Sequence, residues 1–391
     1  MFPLLTLRGT PRERGRLYGA TAAAQIRHSI ASYARLFAYR RGLDWATSQH
    51  AALAYIPLLE QHVPQLLEEI CGIAEGADLD SAAILALNVR TELLAGTSGG
   101  PAHLGYRAAL ARNQQAGVPM HPTDPAEVYA TVTTDQGECT TVVAQPNATA
   151  DEITLLAQTW DWTGDQRAAC VLLRIEEPGR PTILTLTEAG ILAKIGLNSA
   201  GLGVSLNLLR SRTDGYHLGM PIHILLRAIL ERETVPTTVQ LIERVAIGAS
   251  SCVTLADANG RAVSLELTPT AIGVVPPSLD GLLAHTNHCV MSATVEGEAP
   301  LDPSSTSLQR LDRASLLLSA QRGMLDIEDL QRLLADHTGE PQCICRHPDP
   351  RLHPAERAES VTGVIMDLER RVMHVAPGLP CQVAFIPVTV M

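Results

Sequence analysis

The spacing of apolar residues changes once along this chain, near Cys139, and the change limits which folds the chain can adopt. From Pro11 to about Gly96, apolar residues recur every three or four positions, which predicts a mainly helical first third. After Cys139, short runs rich in Val, Ile, Leu and Thr predict strands, among them TTVVAQP, ITLLAQTWDW and TILTLTEAG. Two helical blocks interrupt these strands, HLGMPIHILLRAILERE with TTVQLIERVA and SLQRLDRASLLLSAQR with IEDLQRLLADH. The order indicates an α+β fold with sheets packed face to face and helices outside.

Length, charge and cysteine content restrict the class of function. The 391 residues suffice for one large domain or two ordinary ones, and 46% are hydrophobic, as in globular proteins. A net charge of -11 without a dense Lys/Arg block argues against nucleic acid or an anionic membrane as the main partner, so small molecules or peptides are expected. The chain offers no apolar run of about eighteen residues and no secretory signal, and we expect a cytoplasmic protein with no membrane partner. Its eight scattered cysteines are expected to be reduced, and any one of them is available as a nucleophile.

Cys139 has two interpretations. It follows a connection rich in Gly and Pro between Thr97 and roughly His121, and it opens an apolar run. In the first interpretation it is an ordinary buried cysteine at the head of a strand. In the second, the peptide bond between Glu138 and Cys139 is broken, and Cys139 becomes the first residue of a mature chain. A free α-amine, with a pKa of about 7.7 to 8, is then able to take the proton from the thiol of its own residue.

Four ordered segments carry a resemblance to a known family. These are GECTTVVAQPNATADEITLLAQTWDW, TEAGILAKIGLNSAGLGVSLNLL, HTNHC and SLQRLDR. In this order they resemble the acyl-coenzyme A:6-aminopenicillanic acid acyltransferase family, also called the C45 peptidase family. The resemblance covers most of the chain, since TPRERGRLYG and LNVRTELL look like the family's propeptide helices.

The resemblance implies an Ntn hydrolase, in which a precursor cuts itself on the N-terminal side of its nucleophilic cysteine. The fold implied is an αββα four-layer sandwich with an N-terminal helical propeptide segment. Residues 1–138 would then be the propeptide or small chain and residues 139–391 the catalytic large chain, with the cleavage site at Glu138 and Cys139. The two chains are expected to stay associated after the cut, so the propeptide chain would be a partner of the catalytic chain.

The resemblance to this family and to a related one supplies five candidate catalytic residues. Cys139 matches the nucleophile of the CTT motif, and Asp161 in QTWDW matches an Asp beside the nucleophile, where a carboxylate would hold the new ammonium. Asn287 in HTNHC is the candidate oxyanion donor. Asn207 in GVSLN is a second candidate, by similarity to the related choloylglycine hydrolases. Arg310, with Ser307 before it, matches the S-x-x-R stretch, and its guanidinium would lower the pKa of the thiol or pair with Asp161.

Each of these residues also has a purely structural interpretation. Asn is more commonly used for hydrogen bonding in turns and at sheet edges, which would account for Asn207 and Asn287. An Arg at position 310 would be a solvated residue on the first turn of an amphipathic helix. WDW would be a strand end with two aromatic residues in the core, although Asp161 suits such a place only if it is paired.

No metal or cofactor site is expected from the spacing of possible ligands. His285 and His288 flank Asn287 in a strand entering a turn, where side chains three apart point to opposite faces. CICRH, with Cys343, Cys345 and His347, lacks the two-residue gap and second ligand pair of a zinc site, and no chemistry is assigned to it. The glycines of GILAKIGLNSAGLGVSLN do not form a nucleotide loop and instead predict a hairpin turn over 198–201. Coenzyme A, if used, would be a substrate as a thioester.

The sequence therefore predicts a self-processing N-terminal-cysteine amidohydrolase or acyltransferase. It would act on amide or thioester bonds of small molecules through an acyl-enzyme, as in β-lactam acyl transfer or small amide hydrolysis. One alternative is an uncut cysteine hydrolase whose N-terminal part acts as a lid. Another is an uncut or inactive family member that only binds a small molecule. The choice between water and an amine as acceptor, the substrate-binding residues and the oligomeric state are left open.

Overall fold

The computed structural model describes residues 1–95, 139–341 and 343–391. Glu138 and the connection between Thr97 and His121 lie outside the described residues. The helices of the first range are α1 (Pro11–Thr21), α2 (Ala23–Arg41), α3 (Trp45–Ala52), α4 (Ile56–His62), α5 (Pro64–Ala77), α6 (Ser81–Asn88) and α7 (Arg90–Ala95). Those of the later ranges are α8 (Ile222–Leu230), α9 (Val235–Ile242), α10 (Ser292–Val295), α11 (Ser307–Ala320) and α12 (Ile327–Leu334). In these ranges no helix combines the length and apolarity needed to cross a membrane.

The strands of the described residues form two sheets. The eight-stranded sheet has the order β1-β4-β5-β6-β7-β8-β9-β10, and the six-stranded sheet has the order β11-β2-β3-β12-β13-β14. The first seven strands are β1 (Leu4–Arg8), β2 (Cys139–Ala144), β3 (Leu155–Thr163), β4 (Cys170–Glu176), β5 (Ile183–Glu188), β6 (Ile195–Asn198) and β7 (Leu202–Leu208). The others are β8 (Ser251–Asp257), β9 (Ala262–Leu267), β10 (Ile272–Val275), β11 (Leu282–His285), β12 (Ala358–Asp367), β13 (Val372–Ala376) and β14 (Ile386–Thr389).

The α+β class predicted from the sequence pattern and the four-layer order implied by the family resemblance are confirmed. β2 and β3 pack against β7, so the two sheets lie face to face. Along β2, Val143 belongs to the core between the sheets, while Val142 and Ala144 pack on the other side with Leu318 of α11. This alternation follows from the two-residue period of a strand. Helix α8 lies on the outer side of the eight-stranded sheet, and α11 and α12 lie on the outer side of the six-stranded sheet.

The N-terminal third is helical as predicted, but it also holds strand β1, which the sequence analysis missed. β1 pairs in parallel with β4 and extends the edge of the eight-stranded sheet. Leu5 and Leu7 are buried while Leu4 and Arg8 are exposed, which is the alternation of a strand. Five residues at a chain start gave too short a pattern to be recognised as a strand.

The N-terminal helices share the core of the sheets. Helix α1 packs closely against α5, and Gly15 makes this possible because it has no side chain. A Cβ at this position would lie 2.2 Å from the backbone oxygen of Glu69. On α6, the buried Asn88 donates to Gly190 O at 2.8 Å and accepts from Leu192 N at 3.0 Å. These hydrogen bonds join residues on the two sides of the predicted cut. The division of the chain at residues 138 and 139 stays a prediction.

A buried ion cluster links the N-terminal helices to α8. Glu69 Oε2 lies 3.0 Å from Arg14 Nη2 and 3.4 Å from Arg227 Nη2, and all three side chains are buried. Replacing Glu69 by Gln leaves two buried guanidinium groups without this carboxylate, so we expect the free energy of unfolding to fall by about 3–5 kcal/mol. Urea denaturation measures this change.

The neighbouring Glu68 supplies the matched control. Its ion pair with Arg12 is largely exposed, and exposed pairs contribute about 0–1 kcal/mol. Glu68→Gln is therefore expected to change the unfolding free energy by less than about 1 kcal/mol. Equal effects of the two substitutions would contradict the role given to the buried cluster.

Candidate active site

Cys139 is the first residue of β2, which lies between β11 and β3 in the six-stranded sheet. It is 3% exposed and lies opposite Trp160 of β3. The alternation along β2 puts the side chains of Cys139 and Thr141 on the face toward the other sheet, where Thr141 Oγ1 donates to Asn207 Oδ1 at 2.7 Å. Cys139 is thus a buried residue at the head of a strand, as the structural interpretation holds, but its surroundings are polar.

Three of the predicted residues bind the backbone of Cys139. Its N–H donates to Asn287 Oδ1 at 2.6 Å. Its carbonyl oxygen accepts from Asn207 Nδ2 at 2.9 Å and from Arg310 Nη1 at 2.8 Å. These partners come from the segment after β11, from β7 and from α11, so the fold brings together residues that are far apart in the sequence.

Arg310 is a buried residue, and the interpretation as a solvated arginine is therefore excluded. It is 2% exposed. Besides Cys139 O, its guanidinium donates to Thr140 Oγ1 at 2.9 Å and to Asn287 Oδ1 at 3.1 Å. Thr140 faces α11 because its side chain alternates with that of Cys139. One guanidinium thus fixes the strand and the Asn287 side chain together.

Hydrogen bonds to its backbone and to its side chain fix the orientation of Asn287. Its backbone N–H donates to Ser307 Oγ at 2.7 Å, and the hydroxyl of Thr286 donates to Ser307 O at 2.9 Å. Its Nδ2 donates to Leu208 O at 3.0 Å. The amide oxygen, rather than the amide nitrogen, is therefore directed at Cys139 in the uncut chain.

Asp161 lies on β3 with its side chain on the opposite face from Trp160 and Trp162. It is fully buried, and its Oδ1 accepts from Ser360 Oγ at 2.6 Å. Burial, with the nearby Asp161 carboxylate, raises the pKa of the Cys139 thiol to about 12. A hydrogen bond with the Asp161 backbone and the charges of Lys194 and Arg310 oppose this rise. Before any cut, the thiol therefore keeps its proton at neutral pH.

His285, two residues before Asn287, is held in its charged form. Its Nδ1 lies 2.9 Å from Thr286 O and its Nε2 lies 2.9 Å from Glu266 Oε1, so both ring nitrogens face acceptors. Burial alone would lower the pKa of His285, but Cys252 and the Glu266 carboxylate outweigh it and raise that pKa to about 10. This ion pair fixes the end of β11, from which Asn287 extends.

The raised pKa of His285 predicts a pH-dependent contribution to stability. The folded pKa lies above the unfolded value of about 6.5, so the contribution is complete below pH 6.5 and is lost as the pH rises toward 10. We expect the melting temperature of the wild type to fall more between pH 7 and pH 10 than that of His285→Gln. Burial lowers the pKa of Lys194, which acts in the opposite sense over this range. The prediction therefore concerns the difference between the two proteins.

Thermal melts at several pH values measure this difference. His62→Gln, at an exposed position on α4, is the control and is expected to follow the wild type. Identical pH profiles for wild type and His285→Gln would contradict the charged state of His285.

Comparison with known proteins identifies the family. Residues 147–353 match the family model described as acyl-coenzyme A:6-aminopenicillanic acid acyl-transferase. The acyl-coenzyme A:6-aminopenicillanic-acid-acyltransferase 40 kDa form of Emericella nidulans is 30% identical over 346 residues, which cover 88% of this chain and 84% of that protein. The chain belongs to the acyl-coenzyme A:6-aminopenicillanic acid acyltransferase family. The resemblance recognised in the sequence is thereby confirmed.

Solved structures with similarity to this family member include two kinds of hydrolase. Penicillin V acylase from Agrobacterium tumefaciens aligns with 61% of this chain and 82% of its own, at 14% identity and a TM-score of 0.43. Two variants of the conjugated bile acid hydrolase from Clostridium perfringens align with 64% of this chain and 92% of their own, at 12% identity and TM-scores of 0.46 and 0.47. Membership of the acyltransferase family makes the chain an enzyme of the acyltransferase type.

The family member also has a buried charge cluster beside Cys139 that the sequence analysis missed. We call Tyr33, Arg90, Glu188 and Lys194 the buried charge cluster. Glu188 accepts from Tyr33 Oη at 2.5 Å, and its carboxylate lies 2.6 Å from Lys194 Nζ and 3.6 Å from Arg90 Nη2. Lys194 Nζ also lies 3.4 Å from the ring centroid of Trp160, the cross-strand neighbour of Cys139.

The charges of this cluster depend on one another. Burial lowers the pKa of Lys194 to about 7, an effect that Glu188 partly opposes. Burial would raise the pKa of Glu188, but Lys194 and Arg90 outweigh it and hold that pKa near 2. A sequence signal for the cluster did exist, because Arg90 in LNVRTELL and Lys194 in GILAKIGL are charges inside apolar runs. Such residues are buried only when they are paired.

A cavity of about 520 Å³ lies beyond the end of β3. Its walls include Arg35 and Tyr39 of α2, Thr163 at the end of β3, Asp165 just after that strand, and His353. The described residues that line it do not include Cys139, Asp161 or Asn287. The cavity is therefore not assigned to the substrate.

Proposed function

We propose that this acyltransferase-family member cuts itself between Glu138 and Cys139, and that the resulting N-terminal cysteine acts on amide or thioester bonds of small molecules. The observation that carries the proposal is the convergence of Asn287, Asn207 and Arg310 on the N and O atoms of Cys139. A purely structural cysteine does not need three buried polar side chains around its backbone, because neighbouring strands supply those hydrogen bonds.

Self-cleavage would proceed by attack of the Cys139 sulfur on the carbonyl carbon of Glu138. The C–N bond breaks, the nitrogen of Cys139 takes up the thiol proton, and a thioester links Glu138 to Cys139. Water then hydrolyses the thioester and yields a carboxylate on Glu138, a free thiol and a free α-amine. Asn287 Oδ1, which accepts the N–H of Cys139 at 2.6 Å, is placed to receive the proton-bearing amine that forms.

Turnover would use that amine as the base. Its ordinary pKa of about 7.7 to 8 is suited to accepting the thiol proton near neutral pH. The thiolate attacks the substrate carbonyl, the amine returns the proton to the leaving group, and the acyl-enzyme passes its acyl group to water or to an amine. The backbone of Asp161 forms a hydrogen bond with the Cys139 thiol, and Ser360 donates to the Asp161 side chain. Together these two residues would hold the thiol in position. Cutting thus supplies the base that the uncut chain, with its raised thiol pKa, lacks.

Asn287 is proposed as the oxyanion donor. Its Nδ2 donates to Leu208 O in the uncut chain, so this role requires that hydrogen bond to be shared with the substrate oxygen or given up to it. Asn207 is proposed as the residue that fixes Cys139 O, and it would serve as a second donor only if the carbonyl shifted. Removing a single oxyanion donor typically lowers the rate about 100- to 1000-fold.

The chemistry of the site and the names of the relatives support a class of substrate. The family and the Emericella nidulans relative are named for transfer from acyl-coenzyme A to 6-aminopenicillanic acid, and the structural relatives are named as an acylase and a hydrolase. We propose an acyl group on a small amide, thioester or β-lactam as the substrate, with coenzyme A as the leaving group of a thioester and not as a bound cofactor. Whether water or an amine takes the acyl group depends on access to the acyl-enzyme.

A substrate panel tests this function. Homogeneous cut protein is incubated with small amides, acyl-coenzyme A thioesters and acylated β-lactams, with and without 6-aminopenicillanic acid as acceptor. We expect turnover of at least one class, and its complete loss after alkylation of Cys139. Absence of turnover throughout, together with tight binding of one compound, would instead support a family member that only binds small molecules.

A further inference from the structure

Four possible metal ligands converge near the C-terminus, away from the residues that bind Cys139. They are His337, Cys345, His347 and Cys381, and one ligand atom from each lies within 4.8 Å of every other. His337 follows α12, Cys345 and His347 lie in the segment 343–347, and Cys381 lies between β13 and β14. The fold thus gathers two thiols and two imidazoles from three separate segments.

The distances between ligand atoms are close to those of a tetrahedral metal site. His337 Nε2 lies 3.1 Å from His347 Nε2, and Cys381 Sγ lies 3.3 Å from the same nitrogen. Zinc bonds of about 2.0–2.1 Å to nitrogen and about 2.3 Å to sulfur place tetrahedral ligand atoms roughly 3.4–3.7 Å apart. The side chains therefore need only small movements to surround one ion.

The chemistry of the group favours a metal over hydrogen bonding alone. Two imidazole Nε2 atoms face each other, with a thiol on a third side, and a neutral imidazole pair can share only one proton along this contact. His337 Nδ1 lies 3.8 Å from Glu340 Oε1, so a carboxylate lies on the far side of the ring. A carboxylate behind a histidine is a common support for a metal-bound imidazole.

We propose that His337, Cys345, His347 and Cys381 bind one structural Zn²⁺ ion. The two cysteines bind as thiolates and release their protons, and the two histidines bind through Nε2. The spacing H-x₇-C-x-H with a cysteine 34 residues later is not a zinc signature. The expectation of no metal site considered the segment CICRH by itself. The fold adds His337 and Cys381 from two other segments.

The ion would hold a segment that touches the active site. Arg346, between two of the ligands, donates its N–H to Ser360 Oγ at 2.9 Å and accepts from Ser360 N at 2.9 Å. Ser360 in turn donates to Asp161 Oδ1 at 2.6 Å. The metal would therefore fix the backbone that supports Asp161, without contacting Cys139 itself.

Cobalt titration of the untagged full chain tests the proposal. The protein is reduced, treated with a chelator and titrated with Co²⁺, which reports thiolate ligands by a charge-transfer band and tetrahedral geometry by intense d–d bands. We expect roughly one Co²⁺ per chain, displacement of it by Zn²⁺, and a higher melting temperature with Zn²⁺. Elemental analysis of protein purified without chelator is expected to find roughly one zinc per chain.

Variants at the more accessible ligands keep the test independent of folding. Cys381→Ser and His347→Gln are expected to weaken Co²⁺ binding by more than about 100-fold, because losing even a group that only supports a metal ligand costs about 10- to 100-fold. The matched controls are Cys71→Ser on α5 and His353→Gln, which lie outside the cluster and are expected to bind like the wild type. The proposal is overturned if the reduced wild type takes up no stoichiometric metal, or if both ligand variants bind metal like the wild type. It is also overturned if protein in which Cys345 and Cys381 are joined by a disulfide still binds the metal, because neither thiolate is then a ligand.

Discussion

Cys139→Ala is expected to remain a single uncut chain and to lose all turnover. The sulfur is both the group that attacks the Glu138 carbonyl and the group that forms the acyl-enzyme, and alanine supplies no nucleophile for either step. The loss should reach the detection limit of the assay, since the remaining hydrogen bonds around residue 139 cannot form a covalent intermediate. Intact mass and the substrate panel measure the two effects separately.

Cys71→Ala provides the matched control for this result. Cys71 is a partly buried thiol on α5, and it lies outside the residues that bind Cys139. This variant is expected to be cut and to turn over at the wild-type rate. Full turnover by Cys139→Ala would contradict the proposed mechanism, because the reaction would then use another nucleophile.

Arg310→Lys is expected to lower the rate of self-cleavage by about 100-fold or more. The guanidinium donates to Cys139 O, Thr140 Oγ1 and Asn287 Oδ1 at once, and a single ammonium group cannot reproduce this planar arrangement. The charge is kept, so the change tests the geometry of the donors rather than the presence of a cation. The size of the effect is that of losing a preorganised donor at an acyl-transfer site.

A time course of cleavage by mass spectrometry, started from freshly purified precursor, measures this rate. Arg313→Lys, one turn further along α11, is the matched control, because Arg313 pairs with Asp336 and has no part in holding Cys139. A thermal melt of Arg310→Lys checks that the chain is folded. Normal cleavage by folded Arg310→Lys would contradict the role assigned to the guanidinium.

The sequence predicted most strands and helices and their order along the chain, because the spacing of apolar residues that indicates them is a local pattern. The run TTVVAQP became β2, and the hairpin turn predicted over 198–201 joins β6 to β7, with Gly201 at a φ of +90°. Strand β1 was missed, since five residues give too little alternation to recognise. The partners of Cys139 were named from a family resemblance, and no periodicity in the sequence would have placed Asn207, Asn287 and Arg310 around one residue.

What the sequence did not predict depends on contacts between distant segments. The buried charge cluster joins Tyr33 and Arg90 of the N-terminal helices to Glu188 and Lys194 of the sheet region, and the apolar runs around those charges were the only hint. The direction of the Asn287 side-chain amide could not be predicted from the sequence either, because it depends on hydrogen bonds with Ser307 and Leu208.

The central claim is tested most directly by the intact mass and N-terminal sequence of freshly purified wild-type protein. The account predicts two associated chains, the larger of which begins Cys-Thr-Thr-Val at Cys139. The α-amine used in turnover would then exist. A single chain that stays uncut on prolonged incubation would contradict self-processing, and Cys139 would be left as a buried cysteine at the head of β2.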